Sequence, residues 1–440
     1  MSKGDVIVVG GGPSGLAAAH RLSQFGVPVR VLEAADQIGG KMRTSRRDGF
    51  VMDEGAFFVP TTHRTLLATA AELGMTDEIV PGGFTMSTLR DGVIHHLDGQ
   101  HLVRSVARTR LLSTRAKAGL VKLVPELIRA RRATYRRMAS AGRYDTETLS
   151  EWSRARLSPE LQEYLTETTM RGIFATSGDT ASRVDFLAIL ALFAGAKLVA
   201  FKDGMGCYAQ RLASDVKTEL GANVCCVEAA ANEVTVTWID RSGTQRVDRA
   251  AACVLAVPAQ TTLRILPGLD GWRRDFLRRV RNGRLLVLNV GLSRRPSLES
   301  TYIQVPRAGH PFLTGILLDH QKAPGRAPEG KGLLTLAVLD SWSASHWDDH
   351  DDDIRAVVVD ALDHVLPGAA RHIEFTELRR WRQEFNTVGV YQDLGRFRNL
   401  CENDQHIQLA GDFHSMPNLE SATISGRRAA DRLLAGSVLS

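Results

Sequence analysis

Cysteine is scarce in this sequence, and its spacing fits no familiar framework. Five cysteines occur in 440 residues, and none of them forms a C-x-x-C pair: Cys207, Cys225, Cys226, Cys253 and Cys401. An odd count without metal-ligand spacing excludes a zinc ribbon and argues against a disulfide scaffold. We therefore expect reduced, packed thiols in a cytoplasmic protein.

Long hydrophobic runs are also missing. No uninterrupted apolar stretch approaches the roughly 20 residues that cross a bilayer, and the start MSKGDVIVVGGG lacks the layout of a targeting peptide. Signatures of a P-loop, a catalytic triad and a nucleic-acid reader are absent as well. We expect a soluble or peripherally bound protein without a nucleic-acid partner.

What the chain does contain is enough apolar sequence for two domains. Hydrophobic residues make up 44% and charged residues 24% of the 440, which is typical of globular proteins. The net charge of +6 is uneven, because residues 101–160 carry 14 Lys or Arg against 5 Asp or Glu. This basic region, predicted to be helical, is a candidate surface for an anionic partner.

Three interpretations of the basic region remain open. Nine basic residues flank an apolar helical face between residues 104 and 137: Arg104, Arg108, Arg115, Lys122, Arg129, Arg131, Arg132, Arg136 and Arg137. Such a pattern is typical of helices that lie on anionic membranes. It would equally attract an acidic substrate, or form a solvated, salt-bridged surface.

The N-terminal segment reads as a strand, a helix and a second strand. A buried-strand pattern at Val6–Val9 precedes a glycine turn, a helix over Ser14–Phe25 and a strand over Pro28–Leu32. Gly26 ends the helix. This order predicts the α/β class, with a doubly wound parallel sheet.

The glycines of that turn have a spacing suited to a dinucleotide. Gly10, Gly12 and Gly15 form G-x-G-x-x-G, which permits a tight turn, a close approach to pyrophosphate and close helix packing. Glu33 ends the second strand, where a carboxylate accepts hydrogen bonds from ribose, which argues against a 2′-phosphate. We assign the following residues to this part of the site: Gly10, Gly12, Pro13, Ser14, Gly15, Glu33 and Ala34.

The rest of the chain consists of further strand-like and helical segments. Strand-like alternation dominates from about Asn223 to Pro258, and a mixed segment follows over 283–395. The last part gives a strand over Ile407–Ala410 and a helix from about Ala422 to Leu434. We predict a discontinuous, Rossmann-like cofactor domain over 1–90, 204–280 and 396–440, and a substrate domain over 91–203 and 281–395, with the helical basic region at 101–160.

Beyond Glu33 the sequence becomes recognisable. The stretch GGKMRT at 39–44 is followed by DGF at 48–50 and by D-x-GA at 53–56. This order resembles the superfamily of flavin amine oxidases, protoporphyrinogen oxidases and phytoene desaturases. The resemblance implies FAD, with Gly40 and either Lys41 or Arg43 at the pyrophosphate. It also places Gly55, Ala56 and Phe57 beside the isoalloxazine ring.

Two later segments extend the resemblance. The segment Gly221–Val224 and the strands after it match the part that pairs with adenine, where the family's valine corresponds to Ala230. IQLAGD then brings Gly411 and Asp412 to the ribityl or pyrophosphate region. By the same resemblance, Ala422 and Thr423 begin a helix whose N–H groups point at the flavin pyrimidine edge.

Departures from the family bear on the reaction. Val287 or a neighbour stands where amine oxidases place a lysine, and His414, Met416 and Asn418 supply no tyrosine for an amine cage. The segment 382–386 has no cysteine for a flavin link, so FAD should be non-covalent. These differences favour a desaturase or dehydrogenase acting on a small lipophilic or carboxylate-bearing molecule. A flavin amine oxidase is the alternative enzyme, and a non-catalytic FAD-binding protein is an alternative of another class.

Few side chains suggest themselves for catalysis. His414 is a candidate base, or else it donates to a backbone carbonyl. Tyr391 and Trp381 are candidates for lining the pocket, or for core packing. The histidines of HWDDHDDD at 346–353 fit helix capping better than a metal site, so no metal is predicted. The electron acceptor is expected to be oxygen or a quinone, and the sequence leaves the oligomeric state open.

Overall fold

The first sheet is parallel and gathers strands from four distant parts of the chain. The computed structural model describes residues 4–82, 85–98, 102–131, 133–193 and 195–439. In sheet order the five parallel strands are Lys217–Leu220, Val29–Glu33, Val6–Val9, Ala252–Leu255 and Ile407–Leu409. The α/β class and the discontinuous cofactor domain are thus seen directly in the strand order.

Two helices cover one face of this sheet and touch each other. The helix Pro13–Gln24 follows the glycine turn, and the helix Leu419–Ala435 packs against it. A Cβ atom on Gly426 would lie 1.9 Å from the carbonyl oxygen of Ser14. Only glycine permits this crossing, so the last helix is held directly against the first.

The second sheet has seven mostly antiparallel strands. In sheet order they are Ile373–Asn386, Val280–Leu292, Gly332–Val338, Leu313–Leu318, Tyr302–Gln304, Thr85–Arg90 and Val93–Asp98. The strand Thr85–Arg90 pairs with Val93–Asp98 and Tyr302–Gln304. The predicted boundary after residue 90 is therefore wrong, since this strand belongs to the second sheet.

Three smaller sheets complete the strand inventory. Their strands are Asn223–Ala229, Val234–Ile239 and Gln245–Ala250; Thr44–Arg47 and Phe50–Asp53; and Val59–Pro60, Leu198–Phe201 and Ile79–Pro81. The strand Leu198–Phe201 pairs with residues 59–60 and 79–81. The chain thus returns to the first domain several residues before the predicted position 204.

Helices fill the spaces between the sheets. Besides the two named above, the α-helices are Arg64–Glu72, Leu102–Arg108, Thr114–Gly119, Val124–Ala130, Met138–Ala141, Leu149–Arg156, Pro159–Leu161, Thr168–Phe174, Arg183–Phe193, Gly206–Leu212, Ala259–Ile265, Gly271–Arg279, Asp319–Lys322, Asp340–Ser345, Asp351–Val365 and Val390–Glu402. A π-helical turn at Gln162–Glu167 joins two of them. The predicted helical region is confirmed, although it is built from short helices.

A buried ionic cluster connects the two domains. Asp53 ends a strand of the first domain, and its carboxylate lies 2.9 Å from Lys322 Nζ and 3.1 Å from Arg326. Asp319 lies 2.7 Å from the same Nζ, and all four side chains are almost fully buried. Against the effect of burial, Lys322 and Arg326 lower the pKa of Asp53 to about 2. The cluster fixes the chain immediately before Gly55.

The acidic run near His350 behaves as a helix start. His350 precedes the helix Asp351–Val365, and its ring accepts the N–H of Asp352 at 3.3 Å. The capping interpretation is confirmed. In the described ranges we find no cluster of three or more acidic, His or Cys side chains arranged for a metal. None of the helices in those ranges is long and apolar enough to cross a membrane.

Candidate cofactor site and the cavity beside it

A cavity of about 390 Å³ opens at the carboxyl ends of the parallel strands. This edge is where doubly wound sheets bind nucleotides. Its lining combines all the separated segments of the first domain: Val9, Gly10, Gly12, Pro13, Ser14, Leu32, Glu33, Ala34, Gly40, Lys41, Ala222, Asn223, Val224, Ala256, Val257, Pro258, Thr261, Arg264, Ile265, Trp381, Arg382, Glu384, Gly411, Asp412 and Ala422. Most of the predicted cofactor residues therefore meet in one place.

The three glycines of the motif have the geometry that the three predicted roles need. Gly10 has a φ of +102°, and a Cβ atom there would lie 2.5 Å from the carbonyl oxygen of Ala256. At Gly15 a Cβ atom would lie 1.8 Å from the carbonyl oxygen of Gly10. Gly12 differs, because no protein atom lies within 4 Å of its Cβ direction and it lines the cavity. The open space at Gly12 is what an approaching pyrophosphate requires.

The helix after this turn offers unpaired donors to the cavity. Gly12 occupies the N-cap position of Pro13–Gln24 without any side-chain cap, and the first turn carries no acidic residue. Exposed N–H groups and the positive end of the helix dipole therefore face the cavity. This arrangement suits an anion such as pyrophosphate.

Glu33 is held in place by backbone donors. Gly11 N–H donates to its Oε2 at 2.6 Å, and Ala35 N–H donates to its Oε1 at 2.8 Å. Each carboxylate oxygen retains further acceptor capacity, and the residue lines the cavity. The position is the one expected for a ribose-binding carboxylate.

Of the two cations predicted at the pyrophosphate, only Lys41 faces the cavity. Lys41 Nζ donates to Gln383 Oε1 at 2.9 Å and lies 3.8 Å from the carboxylate of Asp412. Arg43 instead pairs with the buried carboxylate of Glu54 at 2.9 Å and lies outside both cavities. Of the two alternatives, the geometry therefore favours Lys41, because the carboxylate of Glu54 holds the side chain of Arg43 away from the cavity.

Glu384 was not found by sequence reasoning. It is buried in the cavity wall, where Ala259 N–H donates to Oε1 and its other side contacts Asp412. Burial first, and then the neighbouring Asp412, raise the pKa of Glu384 well above its ordinary value. Burial and the neighbouring carboxylate therefore both favour the neutral form of Glu384 beside the cofactor cavity.

Two other predictions at this cavity need correction. Ala230 lies in the turn after Asn223–Ala229, exposed, with its N–H donated to the carbonyl of Glu233 at 2.8 Å. Ala222, Asn223 and Val224 line the cavity in its place. The assignment was about six residues too far along the chain. An alternating strand pattern repeats every two residues, so it does not show which of its residues faces the cavity.

The last helix begins three residues earlier than predicted. It starts at Leu419, with Asn418 as its N-cap accepting the N–H of Ser421 at 2.8 Å. Ala422 lines both cavities, but its N–H is donated to the carbonyl of Asn418 at 3.0 Å. Thr423 is buried outside both cavities, with its hydroxyl donated to Leu419. The N–H groups of Ala422 and Thr423 therefore do not form the helix start.

A second cavity of about 210 Å³ adjoins the first. Pro13, Lys41, Trp381, Asp412 and Ala422 line both cavities. The rest of the second lining is mainly apolar: Gly55, Ala56, Phe57, Phe58, Pro60, His63, Gly172, Ile173, Phe174, Ala175, Leu192, Phe193, Leu285, Leu286, Val287, Ala337, Val338, Gln383, Pro417, Asn418 and Leu419. Gly55, Ala56 and Phe57, which the resemblance places beside the isoalloxazine ring, line the second cavity and not the first.

Apolar side chains occupy the position at which amine oxidases place a lysine. Val287 is buried in the wall of the second cavity, beside Leu285 and Leu286. Among the described residues of this lining, the charged side chains are Lys41 and Asp412, which lie 3.8 Å apart. Trp381 also lines the cavity, and its indole N–H is fixed on the carbonyl of Glu54 at 2.6 Å. The pocket role of Trp381 is thus seen in the structure.

Neither residue that the sequence suggested for catalysis reaches a cavity. Tyr391 is fully buried, and its hydroxyl donates to Asp185 at 2.5 Å. His414 is also buried, its ring packs against Phe397 and Phe413, and it bonds to the backbone of Leu409. Burial and nearby arginines lower the pKa of His414 well below its ordinary value. Both predictions were wrong, and both residues are structural.

Known proteins resemble this chain in sequence and in fold. It is 43% identical over 79 residues to a possible lysine-specific histone demethylase 1 of Drosophila melanogaster, which covers 18% of this chain and 9% of that protein. It is 42% identical over 79 residues to a coproporphyrinogen III oxidase of Propionibacterium freudenreichii subsp. freudenreichii, with 18% and 15% covered. These matches span under a fifth of either curated relative.

The structural comparison covers nearly the whole chain. Cyclohexylamine oxidase from Brevibacterium oxydans IH-35A superimposes with a TM-score of 0.80 at 20% identity, over 98% of this chain and 99% of that chain. At this level of identity the likeness establishes the fold.

A family model settles the assignment. The model described as flavin containing amine oxidoreductase matches residues 13–434, which include every segment that lines the two cavities apart from Val9, Gly10 and Gly12. The glycine turn, Glu33 and the open space above Gly12 are features that suit a dinucleotide. The chain therefore belongs to the flavin containing amine oxidoreductase family, and as a member it is an FAD-dependent oxidoreductase.

Proposed function

We propose that this protein removes hydrogen from an uncharged, lipophilic small molecule, as a dehydrogenase or desaturase. The observation that supports this most is the apolar cavity beside the cofactor cavity, with Val287 in its wall and its charged lining side chains, Lys41 and Asp412, paired with each other. A charged substrate would lose its hydration there without finding a free counter-charge. Bound FAD supplies the hydride acceptor.

The chain's own residues position the substrate and exclude water. Phe57, Phe58, Phe193 and Trp381 contribute large apolar surfaces to the wall. Trp381 is rigid because its N–H is bonded to the backbone of Glu54. A substrate held in this cavity faces the shared lining at Lys41, Asp412 and Ala422, beside the cofactor cavity, which is the condition for hydride transfer. The carboxylate-bearing substrate considered above is less well supported, since Lys41 is already paired.

We also propose that FAD is bound without a covalent link. None of the described residues that line either cavity is a cysteine. Acid precipitation of the purified protein should release all of its flavin into the supernatant as FAD. Flavin that remains with the precipitate would contradict this.

An anaerobic survey of flavin reduction tests the reaction. Uncharged cyclic ketones and alkenes should bleach the flavin absorbance, and the product should carry a new double bond. A set of matched primary amines serves as the comparison. Ammonia and aldehyde from the amines, without bleaching by the neutral compounds, would establish the amine-oxidase alternative and end this proposal. Reoxidation of the reduced protein by oxygen or by a soluble quinone then identifies the acceptor.

A second proposal concerns the basic helical region, which we propose lies on an anionic membrane. Four large apolar side chains are exposed on the consecutive helical turns 120–130: Val121, Val124, Leu127 and Ile128. The exposed fractions reach 69% for Val121 and 62% for Ile128. The exposed basic residues of the same region are Arg115, Lys122, Arg131, Arg136 and Arg137, while Arg132 lies outside the described residues. Exposed apolar side chains among basic residues are complementary to an acidic lipid surface.

Vesicle sedimentation tests the membrane proposal. Wild type should bind vesicles containing phosphatidylserine, and the double variant Leu127→Ser/Ile128→Ser should lose about tenfold in affinity. Val247→Ser is the matched control, since Val247 is 57% exposed on a distant strand. Equal binding by all three proteins, or no binding by wild type, would refute the membrane contact.

A further inference from the structure

Among the side chains of the apolar cavity, His63 stands out because its ring has no partner. It is only 2% exposed and lies immediately before the helix Arg64–Glu72. Neither Nδ1 nor Nε2 has a hydrogen-bond partner among the described residues. Buried imidazoles normally satisfy at least one ring nitrogen, so this one is available to a molecule in the cavity.

The other polar side chains of the cavity are engaged. Gln383 accepts from Lys41 at 2.9 Å and donates to the carbonyl of Glu384 at 3.2 Å. Asn418 accepts from Ser421 and donates to the carbonyl of Met416 at 3.1 Å. Lys41 and Asp412 face each other, as described above. Of the described polar side chains in this lining, His63 alone has no hydrogen-bond or ion-pair partner at any of its polar atoms.

The backbone around His63 holds the ring in place. Its N–H donates to the carbonyl of Pro60 at 2.8 Å, and its carbonyl accepts the N–H of Leu67 at 3.0 Å. Next to it, the hydroxyl of Thr62 donates to the carbonyl of Leu192, which lines the same cavity. The imidazole therefore projects from a fixed backbone segment.

The charge state of the ring restricts what it can bind. Burial lowers the pKa of His63 to about 4, so the imidazole is neutral at physiological pH. A neutral imidazole offers one N–H donor and one lone pair. It can therefore meet a carbonyl, a hydroxyl or an uncharged amine, whereas a carboxylate or an ammonium group would find no opposite charge on it.

We propose that His63 is a specificity-determining residue that hydrogen-bonds the single polar group of an otherwise apolar substrate. This inference rests on the proposed function and narrows it, since the substrate must carry one uncharged oxygen or nitrogen at the His63 end of the cavity. His63 contacts the substrate but takes no part in hydride transfer. It sets which molecules bind, and in which orientation.

Binding of a matched pair of probes to the FAD-loaded protein tests the proposal. Cyclohexanone and methylenecyclohexane have nearly the same shape, but only the ketone accepts a hydrogen bond. Perturbation of the flavin absorbance gives a dissociation constant for each. Wild type should bind the ketone about five- to tenfold more tightly than the alkene, as one hydrogen bond contributes.

Variants distinguish a substrate contact from a structural role. His63→Leu should abolish the preference for the ketone, while its affinity for the alkene and its FAD content stay within about twofold of wild type. His63→Gln, which keeps a donor and an acceptor, should restore part of the preference. Thr62→Val is the matched control, because it changes the neighbouring residue and leaves the imidazole of His63 intact. It should change the dissociation constants of the two probes by the same factor.

The possible outcomes distinguish the role of His63 from the proposed lipophilic substrate class. If both probes bind and the ratio is the same in wild type and His63→Leu, the role of His63 is refuted and the lipophilic cavity stands. If His63→Leu loses both probes or its FAD, the residue is structural and the inference fails. If wild type binds neither probe up to its solubility limit, both the substrate class and the role of His63 are refuted.

Discussion

The two adjoining cavities of this protein are built in opposite ways. The cofactor cavity is formed largely by backbone at the ends of strands, with Gly10, Gly12 and Gly411 in its lining. The apolar cavity beside it is formed by large side chains from separate segments, such as Phe57, Phe193 and Val287. A cofactor shared by a whole family permits a fixed backbone geometry, while a substrate is selected by side chains that can vary without disturbing the fold.

The largest expected effect comes from removing the buried charge of Lys322, which pairs with Asp53 just before the wall of the apolar cavity. Lys322→Met leaves Asp53 and Asp319 buried with Arg326 alone, which should cost about 3–5 kcal/mol of unfolding free energy. Urea denaturation of the FAD-loaded protein measures it. Because Asp53 precedes Gly55, we also expect weaker binding in the apolar cavity.

A surface lysine provides the control for this variant. Lys331 pairs with Glu374 at 2.7 Å, and both side chains are about one-third exposed. Lys331→Met should therefore change the unfolding free energy by less than about 1 kcal/mol. Equal losses in the two variants would show that the buried cluster has no special role.

A pair of glycine variants should separate the fold from cofactor binding. Gly15→Ala places a Cβ atom 1.8 Å from a backbone oxygen and should cost about 3 kcal/mol of stability together with the FAD. Gly12→Ala meets no protein atom within 4 Å, so the apoprotein should stay as stable as wild type while FAD binding weakens about tenfold or more. Thermal unfolding and flavin occupancy are measured in parallel.

The control for these variants is a glycine without neighbours away from the cavity. Gly271 begins the helix Gly271–Arg279, and no atom lies within 4 Å of its Cβ direction. Gly271→Ala should retain both stability and flavin. Should Gly12→Ala keep its full FAD content, the proposed approach of the pyrophosphate at this turn would have to be abandoned.

The smallest expected effect concerns Glu384, a buried carboxyl group in the wall of the cofactor cavity that contacts Asp412. The pKa of Glu384 is raised in the folded protein, so the folded state binds more protons than the unfolded state above pH 4.5, the ordinary value. Stability should therefore fall as the pH rises from that value toward the raised pKa. Glu384→Gln can donate to Asp412 and accept from Ala259 without ionising, so it should flatten this dependence by about 1 kcal/mol.

Melting temperatures of the FAD-loaded protein between pH 5 and 9 test this expectation. Glu374→Gln serves as the control, since Glu374 is a surface residue paired with Lys331, and it should follow the wild-type curve. Parallel curves for wild type and Glu384→Gln would mean that Glu384 is already ionised in the folded state.

The difference between the cavities also explains what the sequence revealed. The positions of Gly10, Gly12, Gly15 and Glu33 in the turn and at the strand end could be predicted because backbone geometry dictates the residue type there, while their contacts with FAD stay a prediction. Ala230 was wrong because a two-residue repeat does not define which residue faces the cavity. Asn418 was overlooked as the helix cap, although asparagine is a strong N-cap residue, and this omission moved the helix start to Ala422.

The substrate side could not be predicted in the same way. His63 lies in no motif, and only the packing of Leu192, Pro60 and the surrounding segments shows that its ring is buried and unpartnered. Tyr391 and His414 drew attention because they are close in sequence to cofactor segments. Tertiary packing buries both side chains in the core, and no local sequence pattern indicates this.

The contact between Gly426 and Ser14 has a consequence for how the protein matures. The first helix cannot reach its final packing until the chain has been made through residue 426, because the last helix lies directly on it. At about 5–20 residues per second, ~20–80 s pass between synthesis of these two residues. Because Ala422 of the last helix also lines the cofactor cavity, we expect the first domain to take up FAD only after this helix has been synthesised.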